Sequence, residues 1–184
     1  MSDSIIYLVR HCEATGQEAS CSLTDSGKLQ AEELKQFFSD KRVDQIMASP
    51  FERAIQSIVP TAEMHHLDLL ISDDLRERTL SSENLSDFKN CLKETYKDFD
   101  LTYSGGESSR EALERAMKVI SDVKLSSHKA TILVSHGNLI SLILNHFDQT
   151  FGFEEWERLT NPDVYEINLN RREIKRLWKG QKEL

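Results

Sequence analysis

Two short, uninterrupted apolar runs constrain the fold of this chain more than any other feature of its sequence. They are Ile-Ile-Tyr-Leu-Val at 5–9 and Thr-Ile-Leu-Val at 131–134, and runs of this kind are typical of strands buried on both faces. Two further strands are predicted at 45–48 and 69–71. Helical patterns separate the strands, at 24–40, 51–65, 108–125 and 138–147. The alternation predicts an α/β fold, a three-layer sandwich in which helices cover a mainly parallel sheet.

The middle and the end of the chain depart from this alternation. The polar segment 81–99 is predicted to be helical, up to a break at Gly105-Gly106. Two strands at 164–169 and 173–178, joined by the short Asn170-Arg171 link, predict an antiparallel hairpin at one edge of the sheet. Pro60 is expected to end or bend the second helix. Because no stretch of the 184 residues is linker-like, we expect a single domain over 1–184.

Charge and composition argue against several classes of function. The net charge is −8, from 23 basic and 31 acidic residues, whereas a nucleic-acid-binding protein needs a basic face. No apolar run approaches the ~20 residues of a membrane-spanning helix, and the N-terminus lacks the positive region of a signal peptide. Three widely spaced cysteines predict neither a disulfide framework nor a zinc site. We therefore expect a cytoplasmic protein that binds neither nucleic acid nor membrane.

The C-terminal stretch is locally basic, in contrast to the rest of the chain. Its cationic residues are Arg171, Arg172, Lys175, Arg176, Lys179 and Lys182. We expect a solvated strand and tail there, with a contact surface for an anionic substrate or partner as the alternative.

Polar residues follow each of four successive predicted strands. They are Arg10 and His11, Ser49 and Arg53, Arg76 to Arg78 around Glu77, and Ser135 to Gly137 around His136. Because ligands of open α/β sheets bind beyond the carboxyl ends of the strands, we expect these side chains to share one crevice. Each residue alone could be structural, as an exposed helix arginine or a hydrogen-bonded core histidine. Their recurrence at four strand ends favours a common site.

The chemistry of this set suits phosphoryl transfer. Arginine forks match the anionic oxygens of a phosphoryl group with paired, charge-assisted hydrogen bonds. A neutral imidazole can attack phosphorus, and a protonated carboxyl can supply a proton to the leaving oxygen. Nothing in the set requires a metal.

Five short motifs resemble those of the histidine phosphatase superfamily, which has the phosphoglycerate mutase-like fold. They are LVRHCE at 8–13, LTDSG at 23–27, SPFERAIQ at 49–56, LRE at 75–77 and SHG at 135–137. Each motif is weak alone, but all five occur in the family's order and span most of the chain. The resemblance implies a metal-independent phosphomonoester hydrolase without a cofactor, acting on a small phosphorylated substrate.

The resemblance also implies a role for each matching residue. His11 would be the nucleophile that forms a phosphohistidine. Glu77 would protonate the leaving group and later activate water. The phosphoryl oxygens would be bound by Arg10, Gln17, Arg53, His136 and Gly137. Substrate selectivity would depend on the irregular segment 78–106, in which the Gly105-Gly106-Glu107-Ser108 element predicts either a helix N-terminus near the pocket or a simple turn.

The sequence departs from the family pattern at three positions near His11. Cys12 replaces a glycine, so its side chain would crowd the loop if the backbone there required a positive φ. Ala14 replaces a threonine, and Gln17 replaces an asparagine with a longer amide.

Three alternative functions differ in how well the sequence supports them. A phosphoglycerate mutase is the nearest, although mutases of this family usually carry longer insertions around the pocket. A regulatory module with an inactive, phosphate-binding pocket is the second. A cysteine-based phosphatase is excluded, because it needs an arginine six residues after the cysteine and position 18 is Glu18.

Overall fold

A six-stranded mixed sheet lies at the centre of the computed structural model, which describes residues 4–178. Its strands are β1 (Ile5–Arg10), β2 (Gln45–Ala48), β3 (Leu69–Ile71), β4 (Ala130–Ser135), β5 (Asp163–Asn168) and β6 (Glu173–Arg176). They are arranged in the order β3-β2-β4-β1-β5-β6. The first four strands run parallel, and β5 pairs antiparallel with both β1 and β6. The predicted parallel sheet with an antiparallel C-terminal hairpin is confirmed.

Helices cover both faces of this sheet. They are α1 (Asp25–Phe38), α2 (Glu52–His65), α3 (Phe88–Lys97), α4 (Ser109–Leu125), α5 (Gly137–Phe147) and α6 (Phe153–Glu157). Alternate side chains of β1 enter two separate apolar clusters: Ile6 and Leu8 pack with α4 and α5, whereas Tyr7 and Val9 pack with α1 and α2. Burial on both faces explains why β1 and β4 are apolar without alternation.

Local capping signals start helices α1 and α4 where the sequence indicates. The Thr24 side chain accepts a hydrogen bond from the Gly27 N–H and caps α1. Ser108 and Glu111 form a reciprocal capping box at the start of α4. This box pairs the N–H groups of Ser108 and Glu111, and a role for the 105–108 element at the pocket stays a prediction.

Two predicted elements differ from the structure, and one helix was not predicted. The helix predicted at 81–99 is only α3, because the preceding residues form a loop in which the Ser82 N–H donates to the Ser104 carbonyl. Helix α2 continues past Pro60 to His65, held against the core by the buried side chains of Ile58 and Ala62. Helix α6, only five residues long, has too few turns for a periodic signal.

The C-terminal hairpin also differs in detail from its prediction. Its strands end earlier than predicted, and its link is four residues long, 169–172, with Arg172 at φ 58°. One residue of the basic C-terminal stretch stabilises the fold. Arg176 forms two hydrogen bonds with the fully buried Asp163 carboxylate, at 3.0 and 2.6 Å. Lys179 and Lys182 lie outside the described residues. Within 4–178, no helix is both long enough and apolar enough to cross a bilayer.

Gly27 provides a test of how tightly α1 packs under the loop that follows β1. A Cβ added at this position would lie 2.0 Å from the Glu13 carbonyl oxygen. Gly27→Ala should therefore lower the free energy of unfolding by about 1–3 kcal/mol, although alanine is intrinsically the better helix former by ~1 kcal/mol. Urea unfolding followed by circular dichroism measures the change.

Ser26→Ala is the matched control, since Ser26 is the exposed neighbour in the same turn. It should change stability by less than about 0.5 kcal/mol. A Gly27→Ala protein as stable as the wild type would contradict the close approach.

Candidate active site

The carboxyl ends of β1, β2 and β4 bring the predicted site residues together. The His11 N–H donates to the Ser135 carbonyl at 3.1 Å, and the Ser49 N–H donates to the Val134 carbonyl at 3.0 Å. These contacts hold the segments that leave the three strands side by side. As a result, the His11 and His136 rings lie 5.1 Å apart, centroid to centroid.

The His11 imidazole has a defined orientation. Its Nδ1 lies 2.7 Å from the Cys12 carbonyl oxygen. A carbonyl can only accept, so Nδ1 carries the proton and Nε2 keeps its lone pair. That lone pair accepts a hydrogen bond from Arg53 Nε at 3.2 Å. Burial lowers the pKa of His11 to about 3; the Cys12 carbonyl opposes the shift, and the charges of Arg53 and Arg10 reinforce it.

Arg53 and Arg10 approach this imidazole from two elements. Arg53 lies in the first turn of α2, is almost completely buried, and donates from Nη1 to the Glu18 carbonyl at 2.8 Å. Arg10 ends β1 and donates from Nη1 to the Leu159 carbonyl at 2.9 Å. Burial lowers the pKa of both guanidinium groups, but an arginine side chain remains charged. The site therefore holds two positively charged groups that are largely shielded from water.

The absence of a side chain at Gly137 leaves room for the guanidinium group of Arg10. A Cβ at residue 137 would lie 3.2 Å from the guanidinium group of Arg10, closer than most side-chain contacts. The glycine thus lets Arg10 lie against the start of α5. This close packing is a physical reason for the His-Gly pair predicted as part of the site.

His136 is fully buried and held by a serine. Its Nε2 lies 2.7 Å from the Ser49 hydroxyl, which itself accepts from the Phe51 N–H at 3.2 Å. The Ser49 hydroxyl can therefore donate to Nε2, which leaves the proton of the neutral ring on Nδ1. Burial, followed by the nearby His11 ring and the charges of the two arginines, lowers the pKa of His136 well below its ordinary value.

Two buried nitrogens in this cluster lack hydrogen-bond partners within residues 4–178, Arg10 Nε and His136 Nδ1. Leaving a buried donor unsatisfied is costly, so such atoms call for a partner. Both belong to residues predicted to bind phosphoryl oxygens. An anion held between Arg10, Arg53 and His136 would accept from donors that the protein leaves unused.

Glu77 is held at the N-terminus of α5. Its carboxylate accepts hydrogen bonds from the backbone N–H groups of Asn138, Leu139 and Arg78, at 3.0, 3.0 and 2.9 Å. The first two belong to the opening turn of α5, whose N-cap is His136. Since the first amides of a helix have no partner within the helix, Glu77 satisfies α5 while α5 fixes its carboxyl group at the helix start that follows His136.

The departures from the family pattern have clear structural outcomes. Cys12 does not have a positive φ, so the expected strain does not arise. Among the described non-glycine residues, the positive φ values belong to His66 and Arg172. The Cys12 side chain is buried in the core beside α1 and α2, where burial raises the pKa of the thiol to about 12. Gln17 is exposed in the loop before α1, and its contact with phosphate stays a prediction.

Sequence reasoning missed the contribution of the segment before β5. The Asn161 side chain donates from Nδ2 to the His11 carbonyl at 2.8 Å, and the Leu159 carbonyl binds Arg10. The predicted antiparallel hairpin could have indicated this contribution. A strand that runs antiparallel to its neighbours begins at the end of the sheet where those neighbours finish. Loops that lead into β5 must therefore lie beside the carboxyl end of β1.

In the part of the chain that the structure describes, no three His, Cys, Asp or Glu residues form a group that could hold a metal ion.

Comparisons with known proteins agree with this geometry. The profile of the family described as "Histidine phosphatase superfamily (branch 1)" matches residues 6–178. The chain is 28% identical, over 155 residues and 76% of each protein, to a Hydrogenobacter thermophilus protein assigned as a phosphoserine phosphatase. It is 25% identical over 162 residues, covering 80% of this chain and 75% of the other, to a Schizosaccharomyces pombe protein assigned as a phosphatase.

Two solved structures share the fold at low sequence identity. A phosphoserine phosphatase from Entamoeba histolytica in complex with phosphoserine has a TM-score of 0.76 at 18% identity, with 98% of each chain covered. A mycobacterial glucosyl-3-phosphoglycerate phosphatase complexed with VO3 has a TM-score of 0.76 at 18% identity, covering 95% of this chain and 97% of the other. Since the family profile matches nearly the whole described chain, the chain belongs to the histidine phosphatase superfamily (branch 1) and is a phosphatase.

Proposed function

We propose that this phosphatase hydrolyses small phosphomonoesters without a metal, through a phosphohistidine formed on His11. One observation carries the proposal: the imidazole points its protonated Nδ1 at the Cys12 carbonyl, and Nε2 keeps its lone pair beside Arg53. A buried, neutral imidazole in this tautomer is ready to act as a nucleophile. The raised thiol pKa of Cys12 argues against the neighbouring sulfur in that role.

The phosphoryl group would be bound by Arg10, Arg53 and His136. Binding exchanges the Arg53–His11 hydrogen bond for contacts with phosphoryl oxygens, which releases the Nε2 lone pair. The unused donors at Arg10 Nε and His136 Nδ1 supply further hydrogen bonds. In a buried site such charge-assisted contacts are strong and also stabilise charge that develops in the transition state.

In the first step, Nε2 of His11 attacks phosphorus and the bond from phosphorus to the ester oxygen breaks. Glu77 gives its proton to that oxygen, which leaves as an alcohol. The Nδ1 proton stays on the ring and continues to donate to the Cys12 carbonyl. The proton that Glu77 delivers is brought by the substrate, as a monoanion.

In the second step, water attacks the phosphohistidine. Glu77, now a carboxylate, takes a proton from that water while the bond between phosphorus and Nε2 breaks. The products are inorganic phosphate and the original neutral imidazole, and Glu77 is protonated again. The same residue thus serves as acid and then as base.

Phosphoserine is the first substrate to test, because a relative and a solved neighbour carry that name. The product of the reaction distinguishes a phosphatase from the two alternative functions, a mutase and an inactive binding module. A mutase would return an isomerised phosphate ester, and an inactive binding module would release nothing. Release of inorganic phosphate from a panel of small phosphomonoesters, with EDTA present, decides between them.

His11 should carry the phosphoryl group during turnover. Rapid mixing with ³²P-labelled phosphoserine in EDTA, followed by alkaline quenching and peptide mapping, should place the label on His11. His11→Asn, which keeps a polar side chain of similar shape, should lose the label and nearly all activity.

The matched control for this experiment is His146→Ala, because His146 is exposed and lies at the far end of α5. This variant should be labelled normally. A fully active His11→Asn variant would exclude the proposed nucleophile.

The His11 ring should stay neutral through the physiological pH range. With its pKa near 3, the ¹⁵N shift of Nε2 should show no titration between pH 5 and 8. Because the folded pKa lies below the unfolded value of about 6.5, the folded state resists protonation and stability falls as pH decreases through that window. Between pH 7 and 5 this group alone should cost about 2 kcal/mol of unfolding free energy. A titration midpoint near 6.5 would contradict the assignment.

The effect of Glu77→Gln should depend on the leaving group. An alkoxide is a strong base and needs a proton to depart, whereas a nitrophenolate departs unaided. Phosphoenzyme formation from an alkyl phosphate should therefore slow by about 10²–10⁴-fold, with a much smaller effect on nitrophenyl phosphate. Single-turnover measurements on both substrates isolate this step. Equal losses would show that Glu77 is not the leaving-group acid, and Glu13, Asp73 and Asp74 would be tested next.

A further inference from the structure

We propose that Arg115 and Glu107 act as a clamp that positions Glu77 for proton transfer, an inference that rests on the acid role proposed for Glu77. The clamp is the pair of side chains Arg115, on α4, and Glu107, just before α4. Both are positioning residues, because their described contacts are with the loop that carries Glu77.

Arg115 holds this loop by its backbone immediately before Glu77. The guanidinium Nη1 donates to the carbonyl oxygens of Asp74 and Arg76, at 2.7 and 2.9 Å. The Arg115 side chain is buried, so these bonds are shielded from water. Two carbonyls held by one rigid, planar group fix both the position and the direction of the chain as it enters Glu77.

Glu107 holds the same loop on the other side of Glu77. Its backbone N–H donates to the Thr79 carbonyl at 2.8 Å, and its carboxylate accepts from the Thr79 N–H at 3.3 Å. The Glu107 carbonyl accepts from Arg78 Nε at 3.0 Å. The loop is thus tied down on both sides of the acid residue.

The two halves of the clamp are joined by a bidentate ion pair. Arg115 Nε and Nη2 donate to the two carboxylate oxygens of Glu107, at 2.8 and 3.0 Å. Burial acts to raise the pKa of Glu107, but the hydrogen bonds and charge of Arg115 outweigh it and hold that pKa below its usual range. Arg76 adds a third contact, from Nη2 to Glu107 at 3.2 Å.

A buried ion pair is a costly way to stabilise a fold, and apolar side chains of similar volume often do as well. The clamp, however, specifies geometry. Glu77 reaches α5 through its two carboxylate oxygens, so a small shift of the loop backbone would turn the carboxyl away from the leaving oxygen. Ser135 Oγ supports the same loop, at 2.8 Å from the Leu75 carbonyl, but Leu75 is two residues away from Glu77.

The same helix offers a matched control pair. Arg110 makes a two-pronged contact with Asp100 through Nε and Nη2, as Arg115 does with Glu107. This pair is largely exposed, and its partner Asp100 lies after α3, outside the Glu77 loop. Arg110→Lys therefore removes a similar fork from α4 without changing the clamp.

The test is the ratio of phosphoenzyme formation rates on alkyl and nitrophenyl phosphate, measured on one preparation. This ratio is independent of the folded fraction, so a destabilised variant still gives an interpretable result. Arg115→Lys and Glu107→Gln should each lower the ratio by about 10–100-fold, as expected for a misplaced catalytic group. Arg110→Lys should leave it at the wild-type value. In the Glu77→Gln background, Arg115→Lys should lower the ratio no further, because its effect passes through Glu77.

The possible failures are distinguishable. If Glu77→Gln lowers the ratio but both clamp variants keep it at the wild-type value, the clamp is overturned and the acid role stands. A further decrease in the double variant would overturn the clamp as well, since Arg115 would then act by another route. If Glu77→Gln itself leaves the ratio unchanged, the acid role and the clamp both fall.

Discussion

The parallel pairing of β1 with β4 is the contact on which the rest of the site depends. In this register Arg10 lies opposite Ser135, and the next residue of each segment is a histidine. Both strands are buried on both faces, so a slip of one residue would exchange the side chains of the two apolar clusters. The packing that fixes the register therefore also fixes the separation of His11 and His136.

Uncompensated charge is the second constraint. Arg10 and Arg53 place two cations next to two buried imidazoles, and protein carbonyls satisfy only some of their donors. Burial lowers the pKa of both imidazoles, and the two cations reinforce that shift. They also create a local field that an anion would relieve. The same two arginines would thus contribute both to the phosphate binding and to the neutral imidazole that the proposed function requires.

The sequence was informative where burial and strand ends dictate the structure. Continuous apolar runs identified β1 and β4, and the polar residues after them identified most of the cluster around His11. It was less informative where distant backbone contacts decide the structure, as in the loop held by Ser82 and Ser104 that replaces the first part of the helix predicted at 81–99. Arg115 looks like any polar residue of an amphipathic helix, because the carbonyls it holds are 39 and 41 residues away. No local pattern encodes such a contact.

The segment before β5 has a consequence for how the protein is made. Arg10 and His11 are synthesised before the groups that hold them, because the Leu159 carbonyl and the Asn161 amide come 149 and 150 residues later. A nascent chain that has already completed the four parallel strands still lacks both contacts. The pocket therefore acquires its final shape only when β5 adds to the free edge of β1. On the ribosome, these two contacts can form only after the four parallel strands have been made.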